Sequence, residues 1–140
     1  MSHNHDVIVD THVAIWLLNG DNTLSSESRE ILQSVCKSNF LLLSAISIWE
    51  IAMLQSKKKI SLTQPMHTWI GRVKALPFVK IVAIDEHIAI ESCKLPGEFH
   101  GDPADRMIVA TSRILDAPLM TRDRKITEYA YQHFVRIISC

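Results

Sequence analysis

At 140 residues the chain is one domain's worth of material, and two large domains are excluded. Hydrophobic residues make up 47% and charged residues 21%, which excludes the low-hydrophobicity, high-charge composition of a disordered chain. Fifteen basic side chains balance fifteen acidic ones, so no bulk positive field advertises nucleic acid. The balance is uneven along the chain, with six acids and two bases in residues 1–50 and nine acids and thirteen bases in 51–140, so a local basic face is available to a polyanion.

The predicted elements alternate. The apolar run Val7-Ile8-Val9 ends at Asp10-Thr11 and reads as a strand, followed by a helix over Val13–Leu18 that stops at Asn19-Gly20. Ser25 or Ser26 caps a second helix carrying Ile31, Leu32 and Val35, and Phe40–Leu43 is a second strand. Ser44 caps a third helix over Ala45–Leu54, which dissolves into Gln55-Ser56-Lys57-Lys58-Lys59. Pro65 opens a helix with Trp69, Ile70 and Val73 on one side, Val79–Ile84 is a third strand, and Asp85 caps a helix reaching Lys94. A loop of about seven residues, ordinary for such a connection, leads to Asp102-Pro103-Ala104-Asp105 and an apolar helix through Leu115. Leu119–Thr121 is a short strand, Asp123 caps a helix through Glu128, and Phe134–Ile138 is the last strand. Strands separated by helices predict an α/β fold, a three-layer sandwich with a mostly parallel central sheet, over a single domain spanning 1–140. Trp16, Trp49 and Trp69 are expected in its core.

Cys36, Cys93 and Cys140 are odd in number and form no C-x-x-C pair, so neither a disulfide framework nor a structural zinc site is expected, and a reducing, cytoplasmic setting fits. Residues 1–6 are polar and no run approaches the roughly eighteen apolar residues of a membrane span, so neither export nor membrane insertion is expected. The string His3-Asn4-His5 is not a dispersed nuclease motif.

Ligands of parallel sheets gather at the carboxyl ends of the strands. Asp10 and Asp123 follow two predicted strands, and Glu50 and Asp105 lie in the first turns of helices that begin near the same edge. Each aspartate also has a simpler reading as a helix cap or first-turn acid. Glu50 does not, because Ile46–Met53 is apolar enough to be largely buried and no basic residue lies within one turn; either a metal ion compensates it, or it bonds a backbone or Trp69 donor, or it points to solvent. A cluster of hard oxygen ligands without His or thiolate partners selects Mg²⁺ or Mn²⁺ over zinc, and such ions suit in-line hydrolysis of a phosphodiester. Arg106, Arg122, Arg124 and Lys125 flank two of the acids and are candidates for RNA-phosphate contacts, with Lys57–Lys59 a more distant extension.

Four blocks, VIVDT (7–11), SIWEIA (47–52), HGDPADRMIVATS (100–112) and LMTRDRK (119–125), resemble in order those of PIN-domain proteins of the VapC toxin type. The resemblance spans nearly the whole chain. It implies a PIN-like fold, a Mg²⁺- or Mn²⁺-dependent endoribonuclease, neutralisation by a VapB-type antitoxin, homodimerisation, and contact with operator DNA only through the antitoxin complex. It also implies that Asp10 and Asp105 are the main metal-ligand positions, Glu50 and Asp123 the other two acids, and Thr121 the supporting hydroxyl. Asp102 is typical of a subgroup and stays outside that set. Related sequences often carry a Lys four residues beyond the glutamate, where this chain has Leu54. Two other readings remain open at this stage: a metal-stabilised protein- or nucleic-acid-binding module with vestigial cleavage, and an aspartyl-phosphate phosphohydrolase. The latter is disfavoured because His12 stands where the haloacid dehalogenase type needs a second Asp.

Overall fold

Short, largely apolar runs become strands, buried in the first, second and fourth and only partly so in the third and fifth, and all but the last hand over to a helix. The computed structural model, which describes residues 5–20 and 23–140, has β1 (Val7–Val9), α1 (Thr11–Leu18), α2 (Ser26–Cys36), β2 (Leu41–Ser44), α3 (Ala45–Ser56) and α4 (Met66–Ala75). The chain continues through β3 (Val79–Val82), α5 (Glu86–Cys93), α6 (Pro103–Leu115), β4 (Leu119–Thr121), α7 (Arg124–Ala130) and β5 (Ile137–Ser139). Side-chain oxygens of Asp10, Ser25, Ser44, Asp85, Asp102 and Asp123 accept backbone N–H groups at the starts of α1, α2, α3, α5, α6 and α7. These oxygens satisfy donors that a helix start leaves without intrahelical partners. His3 and Asn4 lie outside the described residues.

The strands form one sheet in the order β3-β2-β1-β4-β5 with every pairing parallel. Alternation along each strand feeds two cores. Val7 and Val9 of β1, Leu41 and Leu43 of β2 and Met120 of β4 face a cluster with Val13, Leu32, Val35 and Trp69. Ile8, Leu42 and Leu119 face the other way, against Ile88, Ile108, Val109, Ile126 and Tyr129. Helices therefore cover both faces, and the three central strands, β2, β1 and β4, are buried throughout.

Register corrects three sequence expectations. The third strand stops at Val82 rather than Ile84, because its last partner is Ser44, where β2 ends and α3 begins. The last strand is Ile137–Ser139 rather than Phe134–Ile138: β4 starts after Pro118, so pairing begins at Leu119 with Ile137. The second strand is likewise shifted by one residue, to Leu41–Ser44. The tryptophans also divide. Trp69 is core at 3% exposure, Trp16 is half-buried, and Trp49 is 56% exposed on α3.

The loop from α5 to α6 is held down by the Tyr129 hydroxyl, which donates to the Pro96 carbonyl at 2.6 Å. Gly97 in that loop has φ +68°, and a β-carbon there would collide with Gln132 Oε1 and the Phe134 ring. Gly97→Ala is expected to lower stability by about 1–3 kcal/mol, combining left-handed strain with overpacking. A thermal melt of the variant checks this; an unchanged Tm would refute it.

Candidate active site

From β1 the chain moves outward to β2 and β3, then crosses to β4 and β5 on the other side. The order reverses between β1 and β4, and loops diverging from their carboxyl ends open a crevice there. Asp10 is the first residue past β1. Thr121 ends β4, and Asp123 stands two residues further on.

Asp10 does two jobs. Its Oδ1 accepts the Thr11 N–H at 2.7 Å, capping α1, while Oδ2 accepts the Thr121 hydroxyl at 2.6 Å from across the sheet. Thr121 Oγ1 in turn accepts the Asp123 N–H at 3.0 Å, and Asp123 Oδ1 caps α7 through the Ile126 N–H at 2.9 Å. Asp102 Oδ1 accepts the N–H of Asp105 itself at 2.8 Å. The capping reading is thus correct for Asp10, Asp102 and Asp123, and capping is also what draws their carboxylates to one edge.

Glu50 sits in the second turn of α3, not the first, and is half-buried rather than largely buried, because α3 fully buries only Ser47 and Ile51. Its Oε1 accepts the Thr11 hydroxyl at 2.7 Å, and that hydroxyl is also bonded to Ser47 Oγ at 2.9 Å. Trp69 is not its partner, since its indole N–H donates to Asn19 Oδ1. Thr11 and Ser47 are the residues that sequence reasoning missed. The available signal was spacing: Ser47 and Glu50 are three apart on one helix face, and Thr11 adjoins Asp10.

These elements line one cleft of about 330 Å³, with Asp10, Glu50, Asp102, Asp105 and Asp123 on its wall and Arg122 at its edge. Its electrostatics are strained. Burial raises the Asp10 carboxyl above the usual range, and the bonds from Thr121 and Thr11 only partly oppose this. Burial likewise raises Glu50, opposed by the Thr11 bond and reinforced by Asp102 and Asp10. Asp105 is pushed up to about 7, by burial first and then by the charges of Asp102, Asp123, Asp10 and Glu50. Gly101 passes so close to Asp105 that a β-carbon there would meet the Asp105 Cβ at 2.9 Å and run into the Phe99 ring.

Carboxylates crowded until one retains its proton near neutrality offer a place where a cation could replace that proton. The acids offer hard oxygens, which suits a divalent ion of the magnesium type, and His12 lines the cleft beside them. Among the described residues no group of three or more His, Cys, Asp or Glu side chains is gathered closely enough to hold a metal ion by itself. An open site is compatible with such an ion, which keeps several waters and uses one or two carboxylates together with phosphate oxygens of a ligand.

The predicted phosphate-contact residues separate. Arg106 turns inward, its Nε donating to the Ser92 carbonyl at 2.8 Å and its Nη1 to the Phe99 carbonyl at 3.0 Å. Arg122 lines the cleft. Arg124 and Lys125 are exposed in the first turn of α7, Lys125 beside a neighbouring hollow with Glu98 and Glu128. Lys57–Lys59 follow α3 and do not line the cleft, and Leu54 is half-buried against the core.

Comparison with known proteins places this geometry in context. The profile of the PIN domain matches residues 7–131. The chain is 30% identical over 131 residues to Ribonuclease VapC22 of Mycobacterium tuberculosis, a match covering 94% of this chain and 97% of that protein. Among solved structures, VapBC2 from Rickettsia felis bound to a promoter DNA fragment aligns with TM-score 0.69 at 15% identity, covering 96% of this chain and 98% of that one. A toxin-antitoxin complex from Klebsiella pneumoniae aligns with TM-score 0.58 at 25% identity, covering 85% and 88%.

Proposed function

This chain belongs to the PIN-domain family, and from that membership we propose that it is a divalent-metal-dependent endoribonuclease, the toxin of a VapBC-type pair. The observation that carries the reading is the convergence of Asp10, Glu50, Asp105 and Asp123 on one cleft at the β1–β4 switch point. Similarity to a named ribonuclease over nearly the full length supports it.

Asp10, Asp105 and Asp123 would hold the ion, and Glu50 would help hold it or orient the attacking water. Carboxylate oxygens as the ligands favour Mg²⁺ or Mn²⁺. Such an ion, when bound, polarises phosphate oxygens and makes water a competent nucleophile near neutral pH. The chain's own residues supply the rest. Thr121 fixes the Asp10 carboxylate through one oxygen and the Asp123 backbone through its hydroxyl, so the two acids keep one relative placement. Thr11 fixes Glu50. Arg122 offers positive charge at the edge of the cleft for substrate phosphates.

A VapB-type antitoxin as partner is supported by the toxin-antitoxin complexes that this chain resembles in structure. Contact with operator DNA would run through that complex, and a cytoplasmic location suits an RNA-cleaving toxin. Among the described residues no helix is long and apolar enough to cross a membrane. We read residues 1–140 as one PIN domain and the free protein as a homodimer, which its mass in solution tests.

The direct experiment incubates purified, partner-free protein with a mixed pool of structured RNAs, with and without Mg²⁺ or Mn²⁺. Discrete cuts that vanish in EDTA are expected. A folded protein that binds metal and RNA but never cuts would favour the binding-module reading instead. Thr11→Val removes the donor to Glu50 at nearly constant volume, and cleavage is expected to fall about tenfold, the worth of one hydrogen bond to a charged group. Initial rates at saturating RNA check this, and wild-type rates would mean that Glu50 needs no such positioning.

A further inference from the structure

The cleft has a second wall with different chemistry. His12 and Trp16 are four residues apart and so share a face of α1, and their rings lie 6.0 Å apart, tilted by 49°. Arg122, the first residue past β4, lays its guanidinium over the Trp16 ring, 4.7 Å from the centroid. Its orientation is fixed from behind, with Nε donating to the Cys140 carbonyl at 2.9 Å and Nη2 to the Thr23 carbonyl at 3.2 Å. All three side chains line the same cleft as Asp10, Glu50, Asp105 and Asp123.

Trp16 packs against the core while staying half-buried, and His12 is exposed, although α1 buries Val13, Ala14 and Ile15. Two of the three side chains are unsuited to metal, since an indole offers no lone pair and Arg122 is repelled by a cation; His12 alone has a nitrogen that could ligate one. A guanidinium seated on an indole presents its outer planar face to a nucleobase, with the exposed His12 imidazole beside it and Trp16 supporting Arg122 from beneath. A ribonucleotide needs two chemistries side by side, a cation-bearing patch for its phosphate and a planar patch for its base. The volume is within the range of small-ligand pockets.

We propose that His12, Trp16 and Arg122 form a stacking platform that holds one nucleobase of the RNA beside the phosphate being cut, and so positions the substrate on the carboxylates. This rests on the ribonuclease reading above. The platform residues act by positioning and take no part in the bond-breaking step.

The test uses a fluorescent single-stranded RNA oligonucleotide spanning a mapped cut, with an uncleavable linkage at that cut, and versions carrying one abasic nucleotide at successive positions. For the wild-type protein, affinity measured by anisotropy is expected to drop about tenfold at one abasic position next to the cut, in line with the worth of one stacked base. Trp16→Ala is expected to bind intact RNA about tenfold more weakly and to show no further loss at that abasic position, while Mn²⁺ alone still raises its Tm. Trp16→Phe should recover most of the affinity. The proposal is overturned if Trp16→Ala binds intact RNA as wild type does, or still loses the same factor at the abasic position. Should Trp16→Ala not fold, His12→Ala, an exposed substitution, carries the same comparison with a smaller expected loss, and an unchanged affinity there overturns the proposal. A wild-type protein that neither cuts nor binds RNA would instead defeat the ribonuclease reading, and the platform with it.

Discussion

Asp10→Asn is expected to lower RNA cleavage about a thousandfold or more while leaving the fold intact. Asparagine keeps an oxygen that can accept the Thr11 N–H, so the cap on α1 survives. What is lost is the negative charge at the centre of the cleft and the acceptor geometry that Thr121 enforces. Several kcal/mol of transition-state stabilisation depend on a bound ion, and each 1.36 kcal/mol is tenfold in rate. Single-turnover cleavage rates, with circular dichroism as the control for folding, check this prediction. A folded Asn variant cutting at the wild-type rate would remove Asp10 from the machinery.

Asp105→Asn is expected to lose activity on the same scale and, in metal-free protein, to gain stability. The sign follows from the raised carboxyl. In the unfolded chain Asp105 releases its proton near 3.8, whereas in the fold it holds it to about 7. Between those values the folded state binds the extra proton, so stability falls as pH rises through the window and the full penalty is present above it. Asn carries no charge and escapes the penalty. Because the side chain is partly solvated, the gain is discounted to about 1–2 kcal/mol, or a Tm higher by about 3–6 °C at pH 8, with no gain at pH 4. Divalent metal reverses the ranking, because it offsets in the wild type the repulsion that Asn merely deletes. Melts in EDTA at both pH values, repeated with Mn²⁺, test this; a variant less stable than wild type at pH 8 without metal would show that Asp105 is not electrostatically strained.

Most of the sheet and the helix starts were legible in the chain because they rest on local chemistry. Val7-Ile8-Val9 before Asp10, Ser44 before Ala45 and Asp102-Pro103 before Asp105 each carry strand or cap signals within a few residues. The strand ends were less legible, because they depend on register with a partner: β3 stops where Ser44 turns into α3, which no feature of residues 79–84 announces. The four acids were legible as a set, whereas the hydroxyls that orient Glu50 join residues 36 and 39 positions apart and were not. Arg106 looked like a phosphate contact by its place beside Asp105, but one helical position rotates a side chain by about 100°, which turns it toward Ser92 and Phe99. Trp49 looked like core because its neighbours are apolar, but α3 is apolar on more than the face it buries, and this ring lies on the other.

The most direct test of the central claim, that converged carboxylates drive attack of water on an RNA phosphodiester, is cleavage in ¹⁸O-labelled water with mass analysis of the fragment ends. The account predicts one ¹⁸O atom in each newly formed terminal phosphate, no 2′,3′-cyclic phosphate at any time, and no fragments in EDTA. Cyclic phosphate ends, or label-free cuts that persist in EDTA, would mean that the RNA's own 2′-hydroxyl is the nucleophile and that the carboxylate cleft is not where the reaction occurs.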